Sequence, residues 1–144
     1  MKKLTLLALV GTVALSSCNQ APDVSGKSVS KAFTDMKLSG YTTPSGTAKY
    51  VDLNSGDRVT TLTLSGLKAN TNYLSHYHKM GTASTDPCKS GGEIVGGVLG
   101  TGTSDANGKL TIKGLQSTAD LKDAKYINVH EASALANVPV CAPL

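Results

Sequence analysis

Leu74-Ser75-His76-Tyr77-His78-Lys79-Met80 places two of the chain's three histidines two residues apart. The run is rich in residues that favour extended backbone. On a strand, alternate side chains leave the same face, so His76 and His78 point together and Tyr77 points into the opposite layer. The third histidine, His130, sits in a second β-branched run, Tyr126-Ile127-Asn128-Val129-His130-Glu131. No imidazole is spent elsewhere. Three histidines on strand-like segments suggest a single metal site, although an isolated His-x-His is also common on a solvated strand face.

Working outward, the chain reads as a succession of short strands. Ser28 to Leu38 alternates loosely, Gly46 to Leu53 gives a second strand, and Arg58 to Leu64 a third. Asn54-Ser55-Gly56-Asp57 supplies the turn between the last two. Ser65 to Asn72 is a connection into Tyr73–His78. Lys79 to Gly97 has no periodicity and reads as a long irregular loop, tied down at Cys88. Val98 to Ser104 and Lys109 to Lys113 are expected to form a hairpin across Asp105-Ala106-Asn107-Gly108, where Asn-Gly tolerates the positive φ of a tight turn. Ser117 to Ala124 could hold a short helix, with Ser117 as its cap and Asp120 at the third helical position. The strand at Ile127–His130 follows, and a last one around Val138 to Cys141. Seven or eight short strands without long helical periodicity imply an all-β fold, an antiparallel Greek-key β-barrel or sandwich with short loops.

The ends of the chain carry other information. Lys2 and Lys3 precede an apolar run, Leu4 to Leu15, too short to span a bilayer and shaped like an export signal. It closes with Leu15-Ser16-Ser17-Cys18, which resembles a bacterial lipobox. That resemblance implies cleavage before Cys18 and lipidation of Cys18, hence attachment to a membrane of the cell envelope. The expected organisation is a lipoprotein signal peptide at 1–17, a lipidated tether at 18–27 and a β-barrel domain at 28–144. Signal removal takes Lys2 and Lys3 from a formal charge of +4. With no basic run and aromatics at 4%, no nucleic-acid partner is expected. Setting Cys18 aside leaves Cys88 and Cys141, an even pair in an exported chain, which should form a disulfide.

From Val59 to Cys141 the residues resemble the copper/zinc superoxide dismutase family. Thr63-Leu64-Ser65-Gly66-Leu67 leading to His76-Tyr77-His78 is similar to the family's Gly-Leu…His-x-His segment. Cys88-Lys89-Ser90-Gly91-Gly92 is similar to its cysteine loop, Val129-His130-Glu131 to its late Val-His strand, and Cys141 to its terminal disulfide partner. The resemblance implies a Greek-key barrel, copper ligated by His76, His78 and His130, and superoxide as substrate. The donor chemistry agrees, since imidazole nitrogen suits copper.

The departures bear on activity. Ile94 stands where the family's metal-bridging histidine should fall, and the zinc ligands have no counterparts, so copper and no zinc is expected. Val138 stands in place of the anion-steering arginine, and the only arginine, Arg58, lies in a distant hairpin. Loss of steering should slow capture of a small anion by ~10–10³-fold. Met80 would add a thioether ligand favouring Cu(I) if the strand continues that far; the alternative is a core-filling methionine. Glu93 could offer an oxygen or relay a proton, or be a solvated loop carboxylate. Lys79 and Lys89 flank the region and could draw in anions weakly. Glu131, next to His130, is read as structural or surface. Three functions are therefore open: a copper-only dismutase, a copper-binding protein for storage or delivery with little turnover, and a metal-free barrel.

Overall fold

The computed structural model describes residues 23–144. The expected signal peptide and Cys18 lie outside the described residues. Eight strands form one antiparallel sheet: β1 (Val29–Asp35), β2 (Ser45–Asp52), β3 (Asp57–Ser65), β4 (Asn72–Lys79), β5 (Ile94–Thr103), β6 (Leu110–Ser117), β7 (Ala124–Glu131) and β8 (Val140–Pro143). Their spatial order is β5-β4-β7-β8-β1-β2-β3-β6. The sheet curls until β5 and β6 approach each other, giving a nearly closed barrel. The connections β3–β4 and β6–β7 cross between its two halves in Greek-key fashion. The all-β barrel expected from the strand count is the fold observed.

Alternation explains the interior. On β4, Tyr73, Ser75 and Tyr77 point inward and are fully buried, as are Ile127 and Val129 on β7. They pack with Phe33, Leu62, Leu64, Leu99, Ile112 and Val140 into one core. Burying each such side chain contributes roughly 1.5–3 kcal/mol. Two polar pairs are admitted to this core: the Thr60 and Tyr77 hydroxyls lie 2.7 Å apart, and Ser75 Oγ donates to the Asn128 carbonyl at 2.6 Å.

Four local expectations are corrected. The turn at Asp105–Gly108 forms, and Gly108 takes φ +70°. Yet Val98–Ser104 and Lys109–Lys113 do not pair as a hairpin: β5 pairs with β4 and β6 with β3. The β3–β4 connection enters the mouth between them and takes the turn's backbone groups, with Leu67 N donating to Gly108 O and Asn70 N to Asp105 O. The strands therefore splay to opposite edges of the sheet.

Ser117–Ala124 is not a helix. Ser117 O accepts from both Asp120 and Leu121 N–H, making one turn, and buried Leu121 then directs the chain into β7 at Ala124. The irregular loop is shorter than expected, because β5 already begins at Ile94. It contains a 3₁₀ turn, Pro87–Lys89, capped by Asp86 Oδ1 accepting from Cys88 N. The first and last strands are also displaced, to Val29–Asp35 and Val140–Pro143.

At the start of the described residues, Asp23 to Ser25 lie against the β2–β3 turn. Ser25 N donates to Asp52 O and Asn54 N donates to Asp23 O. The end of the segment expected as a tether is thus hydrogen-bonded to the barrel.

Candidate metal centre

His76, His78, Tyr126, Asn128 and His130 all leave the outer face of the barrel wall. Register makes them neighbours: β4 pairs with β7 so that Leu74 faces His130, His76 faces Asn128 and His78 faces Tyr126. An outer face would ordinarily be solvated. Here His76, His78 and Asn128 are each only 7% exposed: a loop cover brings Gly92 onto His78 and Tyr126, Gly97 of β5 reaches His76, and Leu135 reaches His130.

Three contacts hold that cover down. The Cys88–Cys141 disulfide, expected from the sequence, is formed and joins the 3₁₀ turn to β8. Cys141 stands directly opposite Asn128, so the covalent tie lands one strand from the histidines. Gly92 N donates to the Tyr126 hydroxyl, and Gly92 O lies 2.8 Å from His78 Nδ1. Only glycine fits at position 92, since a Cβ there would stand 1.7 Å from the Lys79 carbonyl oxygen.

The three rings converge. Their centroids are 5.4 Å apart for His76–His130, 5.9 Å for His76–His78 and 6.1 Å for His78–His130. An ion bonded at about 2 Å to three imidazole nitrogens holds ring centres roughly 5–6 Å apart. His76 Nδ1 faces Gly97 O at 3.3 Å, and His130 Nδ1 faces Leu135 O at 2.5 Å. Each carbonyl only accepts, so each Nδ1 carries the proton and leaves Nε2 as a lone pair. Burial holds both imidazoles below their ordinary pKa, and repulsion from the neighbouring histidines adds to it. Neutral imidazole is the ligating form.

His130 Nε2 is buried and has no hydrogen-bond partner among the described residues. An orphaned acceptor of this kind costs about 1–3 kcal/mol. Three imidazoles, two of them held neutral, and one unpartnered nitrogen fit copper by donor chemistry. The donor atoms as oriented do not complete a site: among the described residues no group of three or more His, Cys, Asp or Glu side chains is arranged to hold a metal ion. Both His78 nitrogens are engaged, Nδ1 with Gly92 O and Nε2 with Asn128 Oδ1 at 2.9 Å.

The other candidates stand apart. β4 ends at Lys79 with a register shift after His78, so the alternation that would carry Met80 onto the histidine face is broken, and Met80 is 37% exposed. Glu93 is a surface carboxylate paired with Lys79 at 2.5 Å, and Lys89 pairs with Asp86. Ile94 faces His78 across the ladder and Val98 faces His76; both are exposed apolar side chains. Arg58 is clamped on Asp52 through two nitrogens.

Sequence reasoning missed Asn128 and Tyr126. The available signal was their spacing, since they precede His130 by two and four positions on the same strand face. Tyr126 stacks on His78 at 4.8 Å with 7° between planes. No protein-family model matches this chain, and no curated protein matches it either.

Proposed function

We propose that this chain is a copper-binding envelope lipoprotein similar to the copper/zinc superoxide dismutases, with one copper held by His76, His78 and His130 and no zinc. The observation that carries the reading is the convergence of three rings from two strands around a buried, unpartnered His130 Nε2. All the chain's histidines are in that cluster, so no imidazole remains for a second metal. Bound copper would supply one-electron exchange with superoxide. The chain's own part is to hold the His76 and His130 imidazoles neutral, to engage the three Nδ1 atoms through the Gly97, Gly92 and Leu135 carbonyls, and to cover the site with a disulfide-tied loop. Lipid on Cys18 would anchor the domain to a membrane.

A second reading, copper storage or delivery with little turnover, is favoured by the surroundings of the cluster. Lys79 and Lys89 are both neutralised by carboxylates, Arg58 is committed to Asp52, and Ile94 and Val98 put apolar surface beside the rings. Nothing in that set attracts a small anion.

Copper loading of the mature protein followed by metal analysis tests both. One copper per chain, lost in His130→Ala, is expected; absence of bound copper would leave a metal-free barrel. A dismutase assay on the loaded protein then separates the readings. Activity above free copper that His130→Ala abolishes supports catalysis, and bound copper without turnover supports storage or delivery.

A further inference from the structure

The geometry points to Asn128 as a positioning residue that acts through His78: its side-chain amide occupies His78 Nε2 in the metal-free protein and must release it before that nitrogen can serve as a ligand. This rests on the copper reading above and concerns what sets the strength of that site.

Three contacts reach the His78 ring. Gly92 O at 2.8 Å fixes Nδ1 as the protonated nitrogen, and Tyr126 stacked at 4.8 Å fixes the ring plane. Either contact can persist when Nε2 changes partner. The third, from Asn128 at 2.9 Å, takes the one nitrogen left for an ion. Nδ1 donates to Gly92 O, and the bond at Nε2 is made by the Asn128 side-chain amide, which faces the ring with Oδ1 and, turned by half a rotation, would present its NH₂ instead. Asn128 is only 7% exposed, so water does not readily substitute for this bond.

His130 provides the contrast within the same cluster. Its Nδ1 is likewise held by a carbonyl, but its Nε2 has no partner. One imidazole nitrogen is left open and another is stoppered. An interaction made only in the metal-free state opposes binding by its own free energy. Removing it therefore strengthens metal binding, provided the ring stays oriented, and Gly92 and Tyr126 supply that orientation. Loss of one buried hydrogen bond corresponds to about a three- to tenfold change in affinity.

The test compares full-length mature protein with Asn128→Val and Asn128→Ala, using Cu(II) alone in competition against a chelator, with Zn(II) in parallel. The expected result is about three- to tenfold tighter Cu(II) binding in both variants, with the same factor for any Zn(II) binding. A merely structural role predicts the opposite, weaker binding alongside a lower Tm. Unchanged or weaker affinity in the folded variants overturns the proposal. A second measurement uses copper-free wild-type protein: ¹⁵N NMR of the imidazoles should show His78 Nε2 hydrogen-bonded and His130 Nε2 free. A free His78 Nε2 overturns the proposal even if neither variant folds. If wild type and His130→Ala both fail to bind copper while the NMR shows the bond, the copper reading has failed and the proposed role of Asn128 falls with it.

Discussion

His130 and Glu131 are consecutive in β7 and serve opposite sides of the barrel wall. His130 turns outward to the other imidazoles, while Glu131 faces Tyr73 across the ladder and gathers four donors: Lys68 Nζ at 2.8 Å, the Tyr41 hydroxyl at 2.8 Å, Asn137 Nδ2 at 3.3 Å and Ser133 Oγ at 3.4 Å. The reading of Glu131 as structural is thereby given a specific form. It ties the β1–β2 connection, the β3–β4 connection and the segment after β7 to one carboxylate.

Acid should loosen that tie. The Lys68 hydrogen bond, followed by that from Tyr41, pulls the Glu131 carboxyl down to about 2 from an ordinary value of 4.5. A folded-state pKa below the unfolded one gives stability that is complete above the unfolded value and fades as pH falls toward the folded one. Denaturant unfolding of the copper-free domain should thus show stability declining between about pH 4.5 and 2. Glu131→Gln should cost about 1–3 kcal/mol at neutral pH and flatten that decline. An unaltered slope would show that other carboxylates govern it.

Reduction should destabilise without erasing the fold. The Cys88–Cys141 bridge closes a 53-residue separation, for which the chain-entropy treatment gives about 4 kcal/mol. The core is built mainly from residues of strands other than the bridged segments, so Cys88→Ser with Cys141→Ser should remain folded with a lower Tm. Because the bridge also pins the cover over the histidines, copper affinity should fall in the same variant. Affinity equal to wild type would mean the cover stays down without it.

Gly92→Ala should be costly at two levels. The added methyl would overlap the Lys79 carbonyl oxygen, so the loop must shift away from β4. That shift moves Gly92 O from His78 Nδ1. About 1–3 kcal/mol of stability should be lost, and copper should bind more weakly than in wild type. Tm measurement and metal competition check the two effects separately.

The buried hydroxyl pair gives a test of the interior. Tyr77→Phe strands Thr60 Oγ1 in a fully buried site and should cost about 1–3 kcal/mol. Adding Thr60→Val removes the stranded group, so the double variant should be more stable than Tyr77→Phe alone. Chemical denaturation of the four-member cycle measures the coupling.

Much of this molecule was legible before any coordinates. Period-two alternation around His76 and His78 marked β4 and put both imidazoles on one face, and the turn chemistry at Asn54–Asp57 marked the β2–β3 hairpin. Local rules misled at Asp105–Gly108, where a turn suited to a hairpin instead spans the seam between two sheet edges. What a turn dipeptide encodes is a reversal of the chain; which strand each arm then pairs with depends on competition among all the edges available.

Residue by residue, the amino-acid order determined the strands, the faces on which the three imidazoles stand and the two cysteines available to each other, because side-chain direction on a strand follows from position alone. Only the tertiary structure decided that β4 and β7 are neighbours, that a loop covers their outer face, and that Asn128 meets His78 while His130 Nε2 meets nothing. Those outcomes depend on pairing and register between segments some fifty residues apart, and long-range pairing is chosen by the packing of the whole barrel rather than by any stretch within it.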